Sequence, residues 1–289
     1  MKYLITGANG QLGSEWVNHL TKSKKHFVAY SSDSLDITRR SDIQDALKLE
    51  KPDVLVNCAA YTSVDRAESD TDQAFLVNET GVRNLFESCS QTRTKLVHFS
   101  TDYVFSGSSE DRLRYPKGYP ENAETDPINR YGSSKRAGEL VLEESAMESD
   151  WLLIRVSWLC GSYGSNFVKT MLRISEEKSE VAVVRDQMGS PTYTFDVVEK
   201  TIQLVETGQN GIFHISSAGD ISWAEFAEEI FKRSRRQTRV NHIPSDEYIT
   251  VAKRPYFSLL SKEKIEELGL KSLDWKVGLD KLLAQIKTV

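Results

Sequence analysis

Five short apolar runs, at residues 3–6, 27–30, 53–59, 95–101 and 151–156, alternate with amphipathic stretches, and this limits the chain to very few folds. The runs are rich in Val, Ile and Leu and are apolar at successive positions, so each strand is buried on both faces. The stretches between them, at 12–20, 41–49, 72–90 and about 130–145, carry the helical period. Strands covered on both faces and joined by helices form a parallel sheet. The prediction is therefore a doubly wound α/β fold. Beyond residue 157 the alternation weakens. Strands are expected at 181–184 and 211–215, a capping box of Ser222 and Glu225 opens a helix over 226–233, and short helices follow at 262–268 and 279–286. Two units are expected: 1–156 with roughly 193–210 as a dinucleotide-binding domain, and 157–192 with 211–289 as a smaller, closely packed substrate domain.

Hydrophobic residues at 39%, charged residues at 27% and a net charge of -5 fit a soluble chain with no general attraction to nucleic acid or to an anionic membrane. No apolar run approaches the ~18 residues that span a bilayer. The N-terminal apolar stretch is too short for a signal-peptide core, so a cytoplasmic location is expected. Cys58, Cys89 and Cys160 are widely spaced and odd in number, which suits small buried side chains and neither a disulfide framework nor a metal site. Residues 106–122 form a long loop rich in Gly, Ser, Pro and Tyr, of the kind that often serves as a lid or binding loop.

Between the first strand and first helix stands Thr6-Gly7-Ala8-Asn9-Gly10-Gln11-Leu12-Gly13. Gly7 can take the tight turn, Gly10 admits a phosphate close to the backbone, and Gly13 lets helix and sheet pack closely. The free N–H groups of a helix start then favour an anion. No acidic residue stands directly after the second strand, where the ribose hydroxyls of NAD would be held, so NADPH is favoured with NADH tolerated. Asp36 and Ile37 meet either the adenine edge or form a helix-capping turn.

Tyr131-Gly132-Ser133-Ser134-Lys135 places a phenol and an ammonium on one helical face. A tyrosine ionises near pH ~10, and a neighbouring cation brings that down, which suits it to proton transfer at a carbonyl oxygen. Ser100-Thr101-Asp102 lies at the carboxyl end of a central strand, where ligands bind in such sheets.

Together these segments resemble the extended short-chain dehydrogenases/reductases, with a Rossmann-like fold, and within them the dTDP-4-dehydrorhamnose reductase family. Asn57-Cys58-Ala59-Ala60-Tyr61-Thr62-Ser63-Val64-Asp65 and Asn78-Glu79-Thr80-Gly81 extend the likeness. In the second half, Ser157-Trp158, Asn166-Phe167 and Asp186-Gln187-Met188-Gly189-Ser190-Pro191-Thr192 are the more specific segments, and Arg254-Pro255 adds to them. The resemblance implies Tyr131 as proton donor to the C4 oxygen of a keto sugar, Thr101 on the same oxygen, and Lys135 on the tyrosine and the nicotinamide ribose. Gly7, Asn9, Gly10, Gln11, Leu12, Gly13, Asp36, Ile37, Ala59, Ala60, Tyr61 and Asn78 would serve the cofactor. Thr62, Val64, Asp102 and Trp158 would meet the sugar, although Trp158 also suits a core. Asn166, Lys169 and Arg254 are candidates for the diphosphate end, the two cations competing with a role as solvated charges.

The chain departs from the family at Cys160, where tyrosine is common, and in the longer 106–122 loop. Glu15 occupies a position that some relatives use for Mg2+ at a dimer interface, but one carboxylate does not make a metal site. The expected partner is a dTDP-sugar, and the chain is expected as a monomer or homodimer. Two alternatives remain: another nucleotide-activated 4-keto-6-deoxy sugar reductase, and a non-catalytic binding subunit resembling the beta subunit of methionine adenosyltransferase.

Overall fold

A computed structural model describes residues 1–144 and 150–286. The first half runs β1 (Lys2–Thr6), α1 (Gln11–Lys22), β2 (His26–Ala29), α2 (Arg40–Glu50), β3 (Val54–Asn57), α3 (Thr71–Phe75), α4 (Gly81–Thr92), β4 (Lys95–Thr101), α5 (Asp111–Arg114), α6 (Arg130–Glu143) and β5 (Trp151–Val156). The second half follows as β6 (Leu159–Cys160), α7 (Phe167–Glu177), β7 (Glu180–Val184), β8 (Met188–Gly189), β9 (Thr192–Tyr193), α8 (Thr194–Glu206), β10 (Gly211–His214), β11 (Ile221–Ser222), α9 (Trp223–Arg233), β12 (Arg239–Ile243), α10 (Glu263–Glu267) and α11 (Trp275–Ile286). The last residue of the helix expected over 130–145 lies outside the described residues.

Six parallel strands form the central sheet in the order β10-β5-β4-β3-β1-β2. Alternate residues supply its two cores. Tyr3, Ile5, Val54, Val56, Val97, Leu152 and Ile154 pack with Trp16 and Leu20 of α1 and with Val197, Val198 and Ile202 of α8. Leu4, Leu55, Leu96 and Leu153 face the other way, onto Ile43 and Leu47 of α2, Leu85 and Phe86 of α4, and Val141 and Leu142 of α6. This is the doubly wound arrangement expected from the apolar runs. At one point the organisation differs from expectation: Gly211–His214 pairs with β5 as an edge of the main sheet, rather than belonging with the second unit. Four residues of one strand cannot reveal which neighbour they will pair with.

A third core lies apart from the sheet, where α7, α9 and α11 enclose Val168, Met171, Phe226, Ile230, Leu279 and Leu282. The expected capping box opens α9, with Ser222 and Glu225 each bonding the other's backbone. A fourth cluster holds down the long loop: Phe105 and Tyr119 stack at 4.2 Å and pack with Phe257, Leu259 and Leu260. The helix expected over 72–90 is continuous but contains a π-helical turn at Leu76–Thr80, a local widening that the 3.6-residue period does not register. Cys89 and Cys160 are buried, and Cys58 packs at the margin of the first core.

A buried ion pair joins β5 to α6. Arg155 on β5 donates through Nε and Nη2 to both carboxylate oxygens of Glu139 on α6, at 2.9 and 2.8 Å, with both residues buried. Replacing Glu139 with Ala strands a buried guanidinium. The expected cost is about 3–5 kcal/mol, read as a lower denaturant midpoint with the slope retained; an unchanged midpoint would mean that the hydrogen bond from Arg155 to the Glu121 carbonyl suffices.

Candidate active site

The carboxyl ends of β1, β3 and β4 lie side by side and carry the glycine turn, the segment after Asn57, and Thr101. At Gly7, φ is +63° and a Cβ would sit 2.6 Å from the Ala59 nitrogen, so only glycine fits. At Gly13 a Cβ would sit 2.2 Å from the Gly7 carbonyl oxygen, which fixes how closely α1 approaches the turn. Gly10 caps α1 with no side-chain hydrogen bond, leaving first-turn N–H groups for an anion. Beside this turn lies an open cleft of about 600 Å³, lined by Ala8, Asn9, Ser14, Ser31, Ser34 and Tyr163 among others. No carboxylate lines it, and the serines offer hydroxyl donors. The cradle thus fits a phosphate-rich dinucleotide and places no anion against a 2′-phosphate.

Helix α6 brings the phenol to the same edge. Asn129 caps it by accepting from the Gly132 N–H at 2.8 Å, and Ser134 meets Asn78 from the π turn at 2.9 Å. Asn78 also bonds both the N–H and the carbonyl of Tyr61, at 2.9 and 3.0 Å. One side chain therefore ties the segment after β3, where Ala59, Ala60 and Tyr61 lie, to the catalytic helix. Tyr131 packs edge-to-face on Tyr103, centroids 5.6 Å apart, and the Thr101 hydroxyl lies close enough to its phenol to favour loss of the proton. Thr101 also donates to Asp102 at 3.0 Å.

The electrostatics differ from the simple expectation that Lys135 lowers the Tyr131 phenol. Burial, with Asp102 next, pushes the Tyr131 proton loss well up, and the Thr101 hydrogen bond offsets this only in part. Lys135 is buried and points its Nζ at the Phe99 carbonyl, 2.7 Å away, and at His98 Nε2, 3.3 Å away. Burial pulls Lys135 down to about 8, against the opposing pull of Glu139. A neutral phenol is the form that can give up a proton.

Other residues singled out from the sequence fall as follows. Thr62 is exposed and Val64 half-buried in the segment after β3. Asp36 accepts from the N–H and hydroxyl of Thr38 in a turn that precedes α2 without capping it, and Ile37 is buried in the second core. Trp158 stacks on Trp223 at 3.6 Å and has φ of 48°, a strained backbone for a bulky residue. Asn166 caps α7 and donates to Gln11 Oε1 and the Gly161 carbonyl, both at 2.7 Å. It therefore joins the substrate side to the start of α1. Lys169 reaches the Ser162 carbonyl at 3.1 Å, and Arg254 pairs with Asp65 at 2.6 Å. Arg254 also lines a second cavity of about 550 Å³ with Ser106, Gln187, Tyr248 and Tyr256. Glu15 is buried and accepts from Thr194 at 2.9 Å. Sequence reasoning missed Tyr163, Ser31 and Ser34 on the cleft and His98 beneath Lys135. Only His98 carried a signal, sharing a strand face with Ser100.

A glycine cradle and a tyrosine–lysine helix at one edge of a doubly wound sheet define a dinucleotide-dependent reductase of the short-chain type. The match to the family described as RmlD substrate binding domain runs over residues 1–288, and the chain belongs to that family. It is 38% identical to the spore coat polysaccharide biosynthesis protein SpsK of Bacillus subtilis, over 98% of this chain and 97% of that one. It is 37% identical to a dTDP-4-dehydrorhamnose reductase of Burkholderia thailandensis, over 96% and 97%. The crystal structure of dTDP-4-dehydrorhamnose reductase from Bacillus anthracis in complex with NADP superposes with a TM-score of 0.93 at 38% identity, covering 98% of this chain and 99% of that one.

Asp102 gives the site a pH signature in stability. Burial raises its carboxyl from 3.8 to about 6, against hydrogen bonds from Ser258 and Thr101. Between those values the unfolded chain binds fewer protons than the folded one, so stability falls as pH rises through the window and the cost is complete above it. Two pH units correspond to on the order of 3 kcal/mol. Asp102→Asn is expected to flatten that slope in urea midpoints taken from about pH 4 to about pH 7. A slope equal to wild type would assign it to other groups.

Proposed function

We propose that this protein reduces the C4 ketone of dTDP-6-deoxy-L-lyxo-4-hexulose to dTDP-L-rhamnose, using NADPH or NADH. The observation that carries the reading is the meeting of Tyr131, Thr101 and Lys135 at the sheet edge that also bears the glycine cradle. The relatives' activities and the bound NADP of the Bacillus anthracis structure support the substrate class and cofactor. When bound, the dihydronicotinamide supplies the hydride.

The chain's own residues do the rest. Tyr131, half-buried at the sheet edge, keeps its proton and gives it to the C4 oxygen as negative charge develops there. Thr101 holds that same oxygen through its hydroxyl. Lys135, on α6 and bonded to the Phe99 carbonyl of β4, would hold the nicotinamide ribose. Asn78 and Asn129 fix the helix that carries both catalytic groups. Thr62, Val64 and Trp158 would meet the sugar, and Lys169 and Arg254 would turn from Ser162 and Asp65 toward the diphosphate.

Tyr131→Phe is expected to retain NADPH binding, read by cofactor fluorescence, while turnover falls about 10²–10⁴-fold. A wild-type rate in that variant would remove Tyr131 as the proton donor. NADPH oxidation on adding the keto sugar separates the reductase from a non-catalytic binding subunit. NMR of the product then distinguishes dTDP-L-rhamnose from its C4 epimer.

A further inference from the structure

Among the described residues, those other than glycine with a positive φ are Lys24, Lys51, Arg93, Trp158 and Arg235. The four cations are exposed and stand at or just beyond helix ends, where a left-handed residue is common. Trp158 has a different setting. It follows β5 two residues after Val156, which is in register with Thr101 on β4, and its φ is 48°. A bulky side chain disfavours that backbone, which persists only where the surroundings over-determine it. Burial does not account for the strain, because the indole is only half-buried.

The surroundings that hold Trp158 come from two other segments. Ser157 donates to the Ser190 carbonyl at 3.0 Å, and the Trp158 carbonyl accepts from the Thr192 N–H at 3.2 Å. The indole stacks on Trp223, with centroids 3.6 Å apart and planes 14° from parallel. Trp223 opens α9, is fixed there by the capping box at Ser222, and has Phe167 behind it at 4.4 Å. Strands β8 and β11 pair with Gly189 opposite Ile221, two residues before Trp223. A Cβ on Gly189 would lie 2.7, 2.9 and 3.0 Å from Cε2, Cζ2 and Nε1 of the Trp158 indole. Gly189 is not among the glycines of positive φ. Its lack of a side chain therefore serves room for the ring and not backbone freedom.

We propose that Trp223 and Gly189 are positioning residues for the sugar: they seat the Trp158 indole at the carboxyl edge of the sheet and so set the affinity for the hexose of the nucleotide sugar. The inference rests on the reading of Trp158 as a sugar contact. An indole offers a sugar ring an apolar face and one N–H donor, so its hold on the sugar depends on the direction of the ring. A strained backbone and a stack fix that direction. Without the Trp223 face, the Trp158 backbone is free to relax to negative φ. With a methyl group on Gly189, the indole has to leave its seat.

The test compares dTDP-L-rhamnose with dTDP, a pair that isolates the hexose, by calorimetry on the full chain. Trp223→Leu keeps apolar bulk against the third core but has no flat face. It is expected to raise the Kd for dTDP-L-rhamnose about three- to tenfold, the worth of an aromatic pair. The Kd values for dTDP and NADPH are expected to stay within about twofold. Trp223→Phe keeps a flat ring and is expected to restore most of the affinity. Gly189→Ala is expected to give the same selective loss, and it serves if Trp223→Leu does not fold. In a Trp158→Ala background neither change is expected to weaken the sugar further, because both act through that indole.

Equal weakening of dTDP and dTDP-L-rhamnose would make Trp223 and Gly189 parts of the fold only and overturns the proposal. An unchanged dTDP-L-rhamnose affinity in Trp158→Ala, or a further loss in the double variants, also overturns it. Wild-type protein that binds dTDP-L-rhamnose through this seat but oxidises no NADPH with the keto sugar would instead defeat the reductase reading and leave the seat standing.

Discussion

A parallel sheet covered by helices on both faces has no face left for a ligand, and everything this protein can do follows from that constraint. Tyr3 and Ile5 go to one core and Leu4 to the other, so the interior of the sheet is closed to solvent. Backbone groups and side chains become available only where strands end. The three ends that lie together are those of β1, β3 and β4, and they carry the glycine turn, the Asn57 segment and Thr101. The reaction site is therefore an edge phenomenon, built from residues that are far apart in the chain and adjacent in the sheet.

Helix α6 brings the proposed catalytic pair, Tyr131 and Lys135, to that edge. It is anchored by a side-chain cap at Asn129, by Ser134 on the π turn, by Lys135 on the Phe99 carbonyl and by Glu139 on Arg155. Beyond the cap, Ser134, Lys135 and Glu139 thus tie two successive turns of the helix to three different elements. Such ties are costly to desolvate and severe to break, so they add little net stability while allowing few alternative placements. The result is a helix whose first turn brings a half-buried phenol close to the Thr101 hydroxyl. Burial then acts on both titratable partners, raising the phenol and lowering the amine.

The second unit contributes closure more than chemistry. Asn166 bonds Gln11 at the start of α1, Tyr163 lines the cleft beside the glycine turn, and Arg254 clasps Asp65 beyond β3. Each contact crosses from the later part of the chain to the sheet edge. Trp158 marks the crossing point, with a strained backbone held by its stack on Trp223.

Much of this was legible in the amino-acid order. Period-two and period-3.6 patterns depend on neighbours a few residues apart, so the five strands, the glycine turn, the capping box at Ser222 and the Tyr131–Lys135 face could be read directly. Ile37, Asn166 and Glu15 were found in places their motifs did not specify, because each is bonded or packed against residues distant in the chain. The pairing of Gly211–His214 with β5, the π turn at Leu76–Thr80 and the ring of His98 under Lys135 belong to the same class. By itself the sequence determined the elements, the faces they bury and the chemical groups available, since those are set by local periodicity and side-chain type. Only the tertiary structure decided which groups meet and which protonation state each favours, because distance across the sheet and exclusion of water are properties of the packed chain and not of any segment of it.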